Sequence, residues 1–343
     1  MKIKCYTQYD RLDQDGHAAQ LETFVLDHSQ GSFFQSPDFF KLMEDVREYR
    51  PIQLVAVDDS GKIAGSLLGV FQINGSGIKS WLSRRLIVWG GPLVRESAPE
   101  EAQRIASAIL SALKKRAGGQ AIFVEFRNFF DTADLRATFL EAGYKYRPHL
   151  NYLVKTDTEA DVKKRMSSSR MRQVKSSLKA GAEIVSPADE QDITAFYEIL
   201  RKLYKEKVKK PLPGPDLFIK GWKTGVFRYF LVRYNDRIVG GIACPVYAGK
   251  VIYEWYVCGE DGQEKGVHPS VLATWAPIEY GLHKGFDHFD FMGAGKPDQD
   301  YGVREFKARF GGEEVCYGRY EMVLNKPLYT VGKLGIQVYQ KLT

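Results

Sequence analysis

The sequence has few of the residues on which a disulfide framework or a metal site depends. Its 343 residues include four cysteines, none of them in a C-x-x-C pair, and six scattered histidines. Their spacing matches no metal-binding motif, so we predict reduced thiols and no metal site. The composition therefore favours neither a disulfide-stapled secreted domain nor a metalloenzyme.

Long apolar segments are also missing from the sequence. No run of about 18 apolar residues occurs, so we expect no integral membrane span. The N-terminal segment is polar within a few residues and lacks the apolar core of a signal peptide. We therefore expect a cytoplasmic protein, and peripheral contact with the inner face of a membrane stays open.

Three common catalytic motifs are absent as well. Residues 290–312 read DFMGAGKPDQDYGVREFKARFGG, which resembles a phosphate loop only superficially. A P-loop needs a hydroxyl residue after its lysine, but Lys296 precedes Pro297, and the dinucleotide pattern fails at Asp298, where a third glycine belongs. No G-x-S-x-G turn occurs either, so the sequence lacks the nucleophile elbow of the α/β-hydrolases.

The positive charge, in contrast, is abundant and local. The net charge is +7, yet residues 163–179 alone contain seven cations and no acid. Residues 201–210 add six cations and one acid. This concentration indicates a patch for an anionic partner, with a solvated helix face as the alternative.

The chain also repeats a pattern. Residues 54–71, LVAVDDSGKIAGSLLGVF, and 230–247, FLVRYNDRIVGGIACPVY, are both strand–turn–strand sequences in which Ile63 and Ile238 align. After each copy we predict a strand, then an amphipathic helix that begins near Pro99 or Pro269, then another strand. The repeat predicts an α/β (α+β) protein of two modules, each a mixed β-sheet flanked by helices.

We place the module boundary at 155/156. Residues 1–155 form the predicted N-terminal module. Residues 156–343 comprise a long basic helix, a second basic helix, and the C-terminal module with the expected active site.

The order hairpin, strand, helix, strand resembles the GNAT acyltransferase module, and two such modules in tandem resemble the FemAB/FemX family of peptidoglycan aminoacyl transferases. SFFQSPDFFKLM (32–43) is similar to the family's F-x-Q-S motif. RMRQVKSSLKAGAEI (170–184) is similar to its basic helix, and FKARFGG (306–312) to its F-K-x-x-F-G signature. The long helical hairpin that tRNA-dependent members often carry is missing.

The resemblance implies direct attack of an acceptor amine on an acyl donor. It places Lys307 near the reacting groups, where its charge would stabilise the oxyanion or the leaving group, with Phe306 beside it. Asp290 is the candidate base or amine-orienting acid. A surface lysine paired with Glu305 or Asp300 is the alternative for Lys307.

The other candidates are substrate contacts. Tyr253, Trp255 and Tyr256 occupy a predicted central strand, so we expect one side of them to line a cleft, with core packing as the alternative. Basic and aromatic residues are expected to bind an anionic substrate: Arg170, Arg172, Lys175, Lys179, Arg201, Tyr204 and Lys205. Lys265 and Gly266 lie in GQEKGVHPS, a degenerate form of the GNAT pyrophosphate loop.

Three functions remain open from the sequence. The first is a FemAB-like transferase that acylates an anionic cell-envelope precursor, with aminoacyl-tRNA or acyl-CoA as the donor and tRNA as an open partner. The second is an acyl-CoA-dependent N-acyltransferase for an amino sugar or small amine. The third is a non-catalytic or nucleic-acid-binding protein that uses the basic helices.

Overall fold

The computed structural model describes residues 1–73, 83–95 and 97–342, and it describes the side chains of the last helix through Leu334. The chain forms two compact units, Met1–Pro148 with Tyr317–Thr343, and His149–Cys316. Each unit contains one mixed β-sheet with helices packed against it. The predicted α/β class and the two-module organisation are confirmed.

The first unit is built on a sheet of two antiparallel segments that flank one parallel pair. In spatial order its strands are β1 (Lys2–Tyr6), β2 (Tyr49–Val57), β3 (Ile63–Gln72), β4 (Arg85–Trp89), β6 (Phe123–Arg127), β16 (Arg319–Val323) and β7 (Lys145–Arg147), while β5 (Leu93–Val94) pairs with β3. Its helices are α1 (Tyr9–Gln14), α2 (His17–Asp27), α3 (Pro37–Asp45), α4 (Pro99–Ala117), α5 (Arg136–Glu141) and α12 (Lys326–Leu342), with 3-10 turns at Phe33–Gln35 and Ala133–Leu135.

The second unit repeats that sheet strand for strand. Its order is β9 (Glu183–Val185), β10 (Phe227–Tyr234), β11 (Arg237–Tyr247), β12 (Val251–Tyr253), β14 (His288–Asp290), β8 (Asn151–Lys155) and β15 (Glu313–Val315), while β13 (Tyr256–Gly259) pairs with β11. Its helices are α6 (Glu159–Arg165), α7 (Ser168–Lys179), α8 (Glu190–Leu203), α9 (Pro215–Lys223), α10 (Pro269–Lys284) and α11 (Gly302–Ala308), with a π-helical turn at Tyr204–Val208.

The two hairpins seen in the sequence occupy equivalent places. β2 pairs with β3, and β10 pairs with β11, and the register shifts just before the turn in both hairpins. Ile63 pairs with Val57, and Ile238 pairs with Arg233, beside these shifts. Each hairpin is followed by a parallel pair, β4 with β6 and β12 with β14. Trp81 and Leu82, the start of the first strand expected after a hairpin, lie outside the described residues.

The module boundaries differ from the predicted 1–155 and 156–343. β8 follows β7 in the chain but pairs with β14 and β15 in the second sheet. β16 follows β15 but pairs with β6 and β7 in the first sheet. Each sheet therefore contains one inner strand whose place in the sequence lies within the other predicted module. The prediction assumed that each module is one continuous stretch of chain, so it could not show this exchange of strands.

The helices are placed by their apolar sides and their caps. Ile105, Ile109 and Leu113 of α4 are fully buried against the first sheet. The long basic helix expected after residue 156 is two helices, because the Ser167 hydroxyl accepts the Arg170 N–H and caps α7. Val174 of α7 is buried, whereas Leu178 is exposed.

Candidate active site

The second sheet splits where its parallel pair ends. β12 pairs with β14 as far as Tyr253 and Asp290, and the Glu254 N–H donates to the Asp290 carbonyl at 2.8 Å. Beyond this point β13 stays paired with β11, while the Phe291 N–H donates to the Tyr152 carbonyl of β8. The strands therefore part just after Glu254 and Asp290, and these side chains lie at the split.

A buried ion pair occupies the split. The Lys307 ammonium lies 2.9 Å from Glu254 Oε1, and the two side chains are only 11% and 4% exposed. Lys307 also donates to the Phe291 carbonyl at 2.7 Å and the Gly293 carbonyl at 2.8 Å. Since an ammonium has three N–H donors, these three acceptors use all of them.

The two alternatives for Lys307 can now be judged. It is not a surface lysine paired with Glu305 or Asp300, because it is buried and paired with Glu254. It also has no N–H left over for a substrate oxyanion in this arrangement. Glu254 Oε2, in contrast, is buried and has no hydrogen-bond partner among the described residues.

Asp290 is held beside the pair by short hydrogen bonds. Its Oδ1 accepts from Asn151 Nδ2 at 2.7 Å and from the Met292 N–H at 2.5 Å. The Asn151 Oδ1 in turn accepts the Gly293 N–H at 2.7 Å. Asn151 thus joins the start of β8 to the turn that carries two of the acceptors of Lys307.

Burial governs the titration of both carboxyl groups. It raises the pKa of Glu254 above its ordinary value, and the neighbouring Lys307 charge acts in the opposite direction. It also raises the pKa of Asp290, against the hydrogen bonds from Asn151 and Met292. A carboxyl with a raised pKa and a buried, unpartnered oxygen is suited to accept a proton near neutral pH.

The F-K-x-x-F-G segment supplies the lysine through α11 and a tight exit from it. Gly311 has φ +80°, and a Cβ there would lie 2.4 Å from the Arg165 backbone carbon. The Ser167 N–H donates to the Arg309 carbonyl at 2.9 Å. Only glycine fits this close approach to the end of α6, and the Ser167–Arg309 hydrogen bond connects the end of α11 to the N-cap of α7.

Arg170 on α7 lies over the same segment. Its guanidinium is 4.3 Å from the Phe306 ring centroid and 5.7 Å from that of Phe310. The residue is 8% exposed, and the only hydrogen bond of its side chain among the described residues goes from Nη1 to the Gln173 amide oxygen, while its Nε is buried without a partner. Burial lowers the pKa of the Arg170 guanidinium, and the Arg309 charge acts in the same direction.

The other predicted basic residues lie away from the ion pair. Arg172, Lys175 and Lys179 are exposed along α7 at i, i+3 and i+7, and we call them the basic stripe. Arg201 at the end of α8 is paired with Glu198 at 2.5 Å, and Lys205 is exposed in the π-helical turn. The structure thus joins Arg170 and Phe306 directly but not the remaining cations.

The aromatic candidates flank Glu254 in sequence and differ in environment. Tyr253 is fully buried in the core, so it packs rather than lining a surface. Trp255 and Tyr256 are half-buried after the split, and the Tyr256 ring packs 5.0 Å from Phe218 and 6.3 Å from Tyr204.

The degenerate pyrophosphate loop fits a coenzyme A pyrophosphate poorly. Lys265 is exposed and Gly266 has φ +82°, but the loop also contains Glu264, and Glu260 and Asp261 come directly before it. The Asp261 carboxylate accepts the Ser270 N–H at 3.2 Å in the first turn of α10. A carboxylate therefore already interacts with the helix end that would otherwise attract an anion.

Sequence reasoning missed Glu254 and Asn151. Glu254 is the one acid in the strand-like segment VIYEWYVCG, and an acid in an otherwise apolar and aromatic strand signals a paired or functional group. Asn151 lies in the predicted first module, 1–155, and Asp290 in the second, so the sequence does not indicate that the two side chains meet.

The first unit has a different arrangement at the equivalent split. The Gly90 N–H donates to the Arg127 carbonyl at 2.9 Å, as Glu254 does to Asp290. Gln35 of the F-x-Q-S motif donates to the Leu68 and Trp89 carbonyls and accepts the Leu68 N–H. A buried amide thus bridges strands β3 and β4, and glycine stands where Glu254 stands in the second unit.

Comparison with known proteins agrees with this fold. Residues 164–307 match the model of the acetyltransferase (GNAT) domain family. The chain is similar to the crystal structure of FemX, with a TM-score of 0.68, 14% identity, and coverage of 96% of this chain and 99% of that one. None of the curated protein sequences matches it.

Two further solved structures share the whole architecture. L-PGS from Bacillus licheniformis gives a TM-score of 0.58 at 14% identity, covering 94% of this chain and 96% of that one. A tandem GNAT protein from the clavulanic acid biosynthesis pathway gives 0.53 at 10% identity, covering 94% and 98%. The predicted tandem GNAT fold of the FemX type is confirmed. Among the described residues, no helix has the length and apolar character needed to cross a bilayer.

Proposed function

We propose that this protein is an acyltransferase that transfers an acyl or aminoacyl group to an amine of an anionic cell-envelope precursor. The observation that carries the proposal is the buried Lys307–Glu254 pair at the strand split, with one carboxylate oxygen unpartnered. The envelope acceptor is supported by the likeness to FemX. It is also supported by the likeness to the C-terminal domain of a putative lysylphosphatidylglycerol synthetase, which is 13% identical.

In the proposed reaction the acceptor nitrogen attacks the acyl carbonyl directly. Its proton passes to Glu254 Oε2, either directly or through one water. The tetrahedral intermediate then expels the donor's oxygen or sulfur, which takes up that proton. Lys307 acts as a positioning residue, because it holds both the Glu254 carboxylate and the Phe291–Gly293 turn.

Arg170 is the proposed contact for the negative charge of a substrate. A buried guanidinium without a carboxylate partner is costly, so an arriving phosphate or carboxylate would gain strong charge-assisted hydrogen bonds. Its stacking on Phe306 fixes the plane of the guanidinium next to the ion pair. Asp290 is proposed to orient the attacking amine from the same side of the split.

We propose aminoacyl-tRNA as the donor class. The acidic loop before α10 disfavours a coenzyme A pyrophosphate, whereas the basic stripe suits a phosphodiester backbone. The second candidate is an acyl-CoA-dependent N-acyltransferase, which is favoured by the match of residues 164–307 to an acetyltransferase domain. The protein would act as a cytoplasmic enzyme that meets its acceptor at the inner face of the membrane.

The test is single-turnover transfer from either donor to a UDP-linked precursor peptide. Replacing Glu254→Gln keeps the size of the side chain but removes the proton acceptor, so transfer should fall by roughly 10²–10⁴-fold. Glu183→Gln, an exposed acid on β9 of the same unit, is the matched control and should transfer normally. A Glu254→Gln protein within about threefold of wild type would end the claim for that residue, and transfer from neither donor would end the acyltransferase proposal.

A further inference from the structure

The last helix of the first unit is fixed to the sheet along one side. The Tyr329 ring lies edge-on to Phe123 with a centroid distance of 5.6 Å, and its hydroxyl contacts both Glu321 carboxylate oxygens at 3.1 Å. Asn325 precedes the helix, and its Oδ1 accepts the Leu328 N–H at 3.1 Å. These contacts fix the first turn of α12 and therefore which side of the helix is turned away from the sheet.

The outward side of α12 is apolar. Val331 is 53% exposed and Leu334 is 55% exposed, and residues three apart lie on one side of a helix. Both belong to the small set of large hydrophobic residues that are exposed in the described structure. Adjacent apolar side chains that are exposed to water often mark an interaction site. This side of α12 is therefore suited to contact with an apolar partner.

The charged residues of α12 all have the same sign. Lys326 and Lys333 are exposed in the described part of the helix. From Lys326 to Thr343 the sequence contains three lysines and no acid. A helix with apolar residues on one side and only lysines as charged groups is typical of segments that lie in the interface of an anionic membrane.

We propose that α12 is a docking element for the surface of an anionic phospholipid bilayer. Val331 and Leu334 enter the boundary between head groups and acyl chains, while Lys326 and Lys333 face the lipid phosphates. The occupant is a membrane rather than a second copy of the chain, because pairing two such helices would bring lysines of like charge together. This inference does not depend on the proposed reaction.

The test is co-sedimentation of the full-length protein with vesicles. Binding is expected to vesicles of phosphatidylcholine mixed with phosphatidylglycerol, and it should weaken as salt is raised. Vesicles of phosphatidylcholine alone should bind much less. Equal binding to both vesicle types would overturn the charge argument.

Two double variants separate the contributions of the apolar residues and of the lysines of α12 to vesicle binding. Val331→Asp/Leu334→Asp should abolish sedimentation, whereas Leu140→Asp, which alters a leucine 51% exposed on α5, should leave it intact. Lys326→Glu/Lys333→Glu should lower the partition coefficient by at least roughly thirtyfold, since each lysine contributes about 1 kcal/mol. Circular dichroism and the midpoint of urea unfolding check that each variant is folded.

Three outcomes would overturn the proposal. One is vesicle binding that survives Val331→Asp/Leu334→Asp. Another is vesicle binding that is lost in Lys175→Glu/Lys179→Glu while the two double variants of α12 bind normally. That result would assign the membrane contact to the basic stripe. The third is that the wild-type protein does not bind vesicles but forms a concentration-dependent dimer, and that Val331→Asp/Leu334→Asp dissociates this dimer. That result would identify a second copy of the chain as the occupant.

Discussion

At the scale of single residues, the Lys307–Glu254 pair is a costly arrangement. Removing two charges from water costs several kcal/mol for each ion, and one close contact rarely returns all of it. Here Lys307 recovers part of that cost through the Phe291 and Gly293 carbonyls, but Glu254 Oε2 recovers none. A hydrophobic pair of similar size would stabilise the fold at least as well, so the charges are better explained by chemistry than by stability.

The same pair makes a prediction for Lys307→Met. The substitution leaves a buried carboxylate and two carbonyls without their donor, so the free energy of unfolding should fall by about 3–5 kcal/mol at pH 7. Without Lys307 the pKa of Glu254 in the folded state rises further above its ordinary value of 4.5. An acid with a raised folded-state pKa keeps its stability below the ordinary value and loses it as pH increases, so the deficit should shrink toward pH 4.5.

Urea unfolding of the variant across pH measures this effect. The double variant Lys307→Met/Glu254→Gln serves as the control, since it removes both charges of the pair and should lack the part of the pH-dependent deficit that Glu254 contributes. The free energy of unfolding of Lys307→Met could instead fall by less than about 1 kcal/mol, and equally at pH 5 and pH 7. That result would show that water solvates the pair and that the pair adds little to stability.

At the scale of elements, local sequence was informative wherever partners are close in the chain. The two hairpins follow from alternating apolar residues around short polar turns, and both are formed. The F-K-x-x-F-G segment was assigned next to the reacting groups by resemblance, and its lysine does reach the strand split. What could not be inferred was the partner of that lysine, because Glu254 lies on a different element and only the fold brings them together.

The basic stripe of α7 makes a second prediction. Arg172, Lys175 and Lys179 have no acidic neighbour on their helix, so an arriving polyanion meets unopposed charge. Lys175→Glu/Lys179→Glu should raise the Michaelis constant for the anionic substrate by roughly tenfold or more, because each lost phosphate contact costs about 1.5 kcal/mol or more. The increase should be largest at low salt.

Steady-state kinetics at two ionic strengths test this prediction. Lys114→Glu/Lys115→Glu is a charge-matched control, since both lysines are exposed at the end of α4 in the first unit. Equal Michaelis constants for the stripe variant and wild type at low salt would mean that the stripe is only a solvated helix face. A lower turnover number with an unchanged Michaelis constant would instead place the stripe in the reaction step.

At the scale of the whole molecule, the exchange of β8 and β16 is the feature that sequence order concealed. Periodicity predicts that a segment is a strand, but it does not say which sheet the strand joins. The Tyr320 ring of β16 stacks on Phe139 at a centroid distance of 3.9 Å, and both residues are fully buried in the core of the first unit. The end of the chain is therefore part of the first core, and the first unit is complete only when the second has been synthesised.

This topology predicts how truncated chains behave. A chain that stops after Cys316 lacks β16, so β6 and β7 lose the strand that pairs with both of them. A chain that stops after Asn325 keeps β16 and loses only α12.

Hydrogen exchange measured by mass spectrometry should distinguish the two truncated chains. Exchange in Phe123–Arg127 and Lys145–Arg147 should be fast in the chain that stops after Cys316 and slow in the chain that stops after Asn325. Exchange in His288–Asp290 should stay slow in both, because its partners β12 and β8 are retained. Protected β6 amides in the shorter chain would mean that the first sheet can close without β16, and that the exchanged strand adds no stability to the unit it enters.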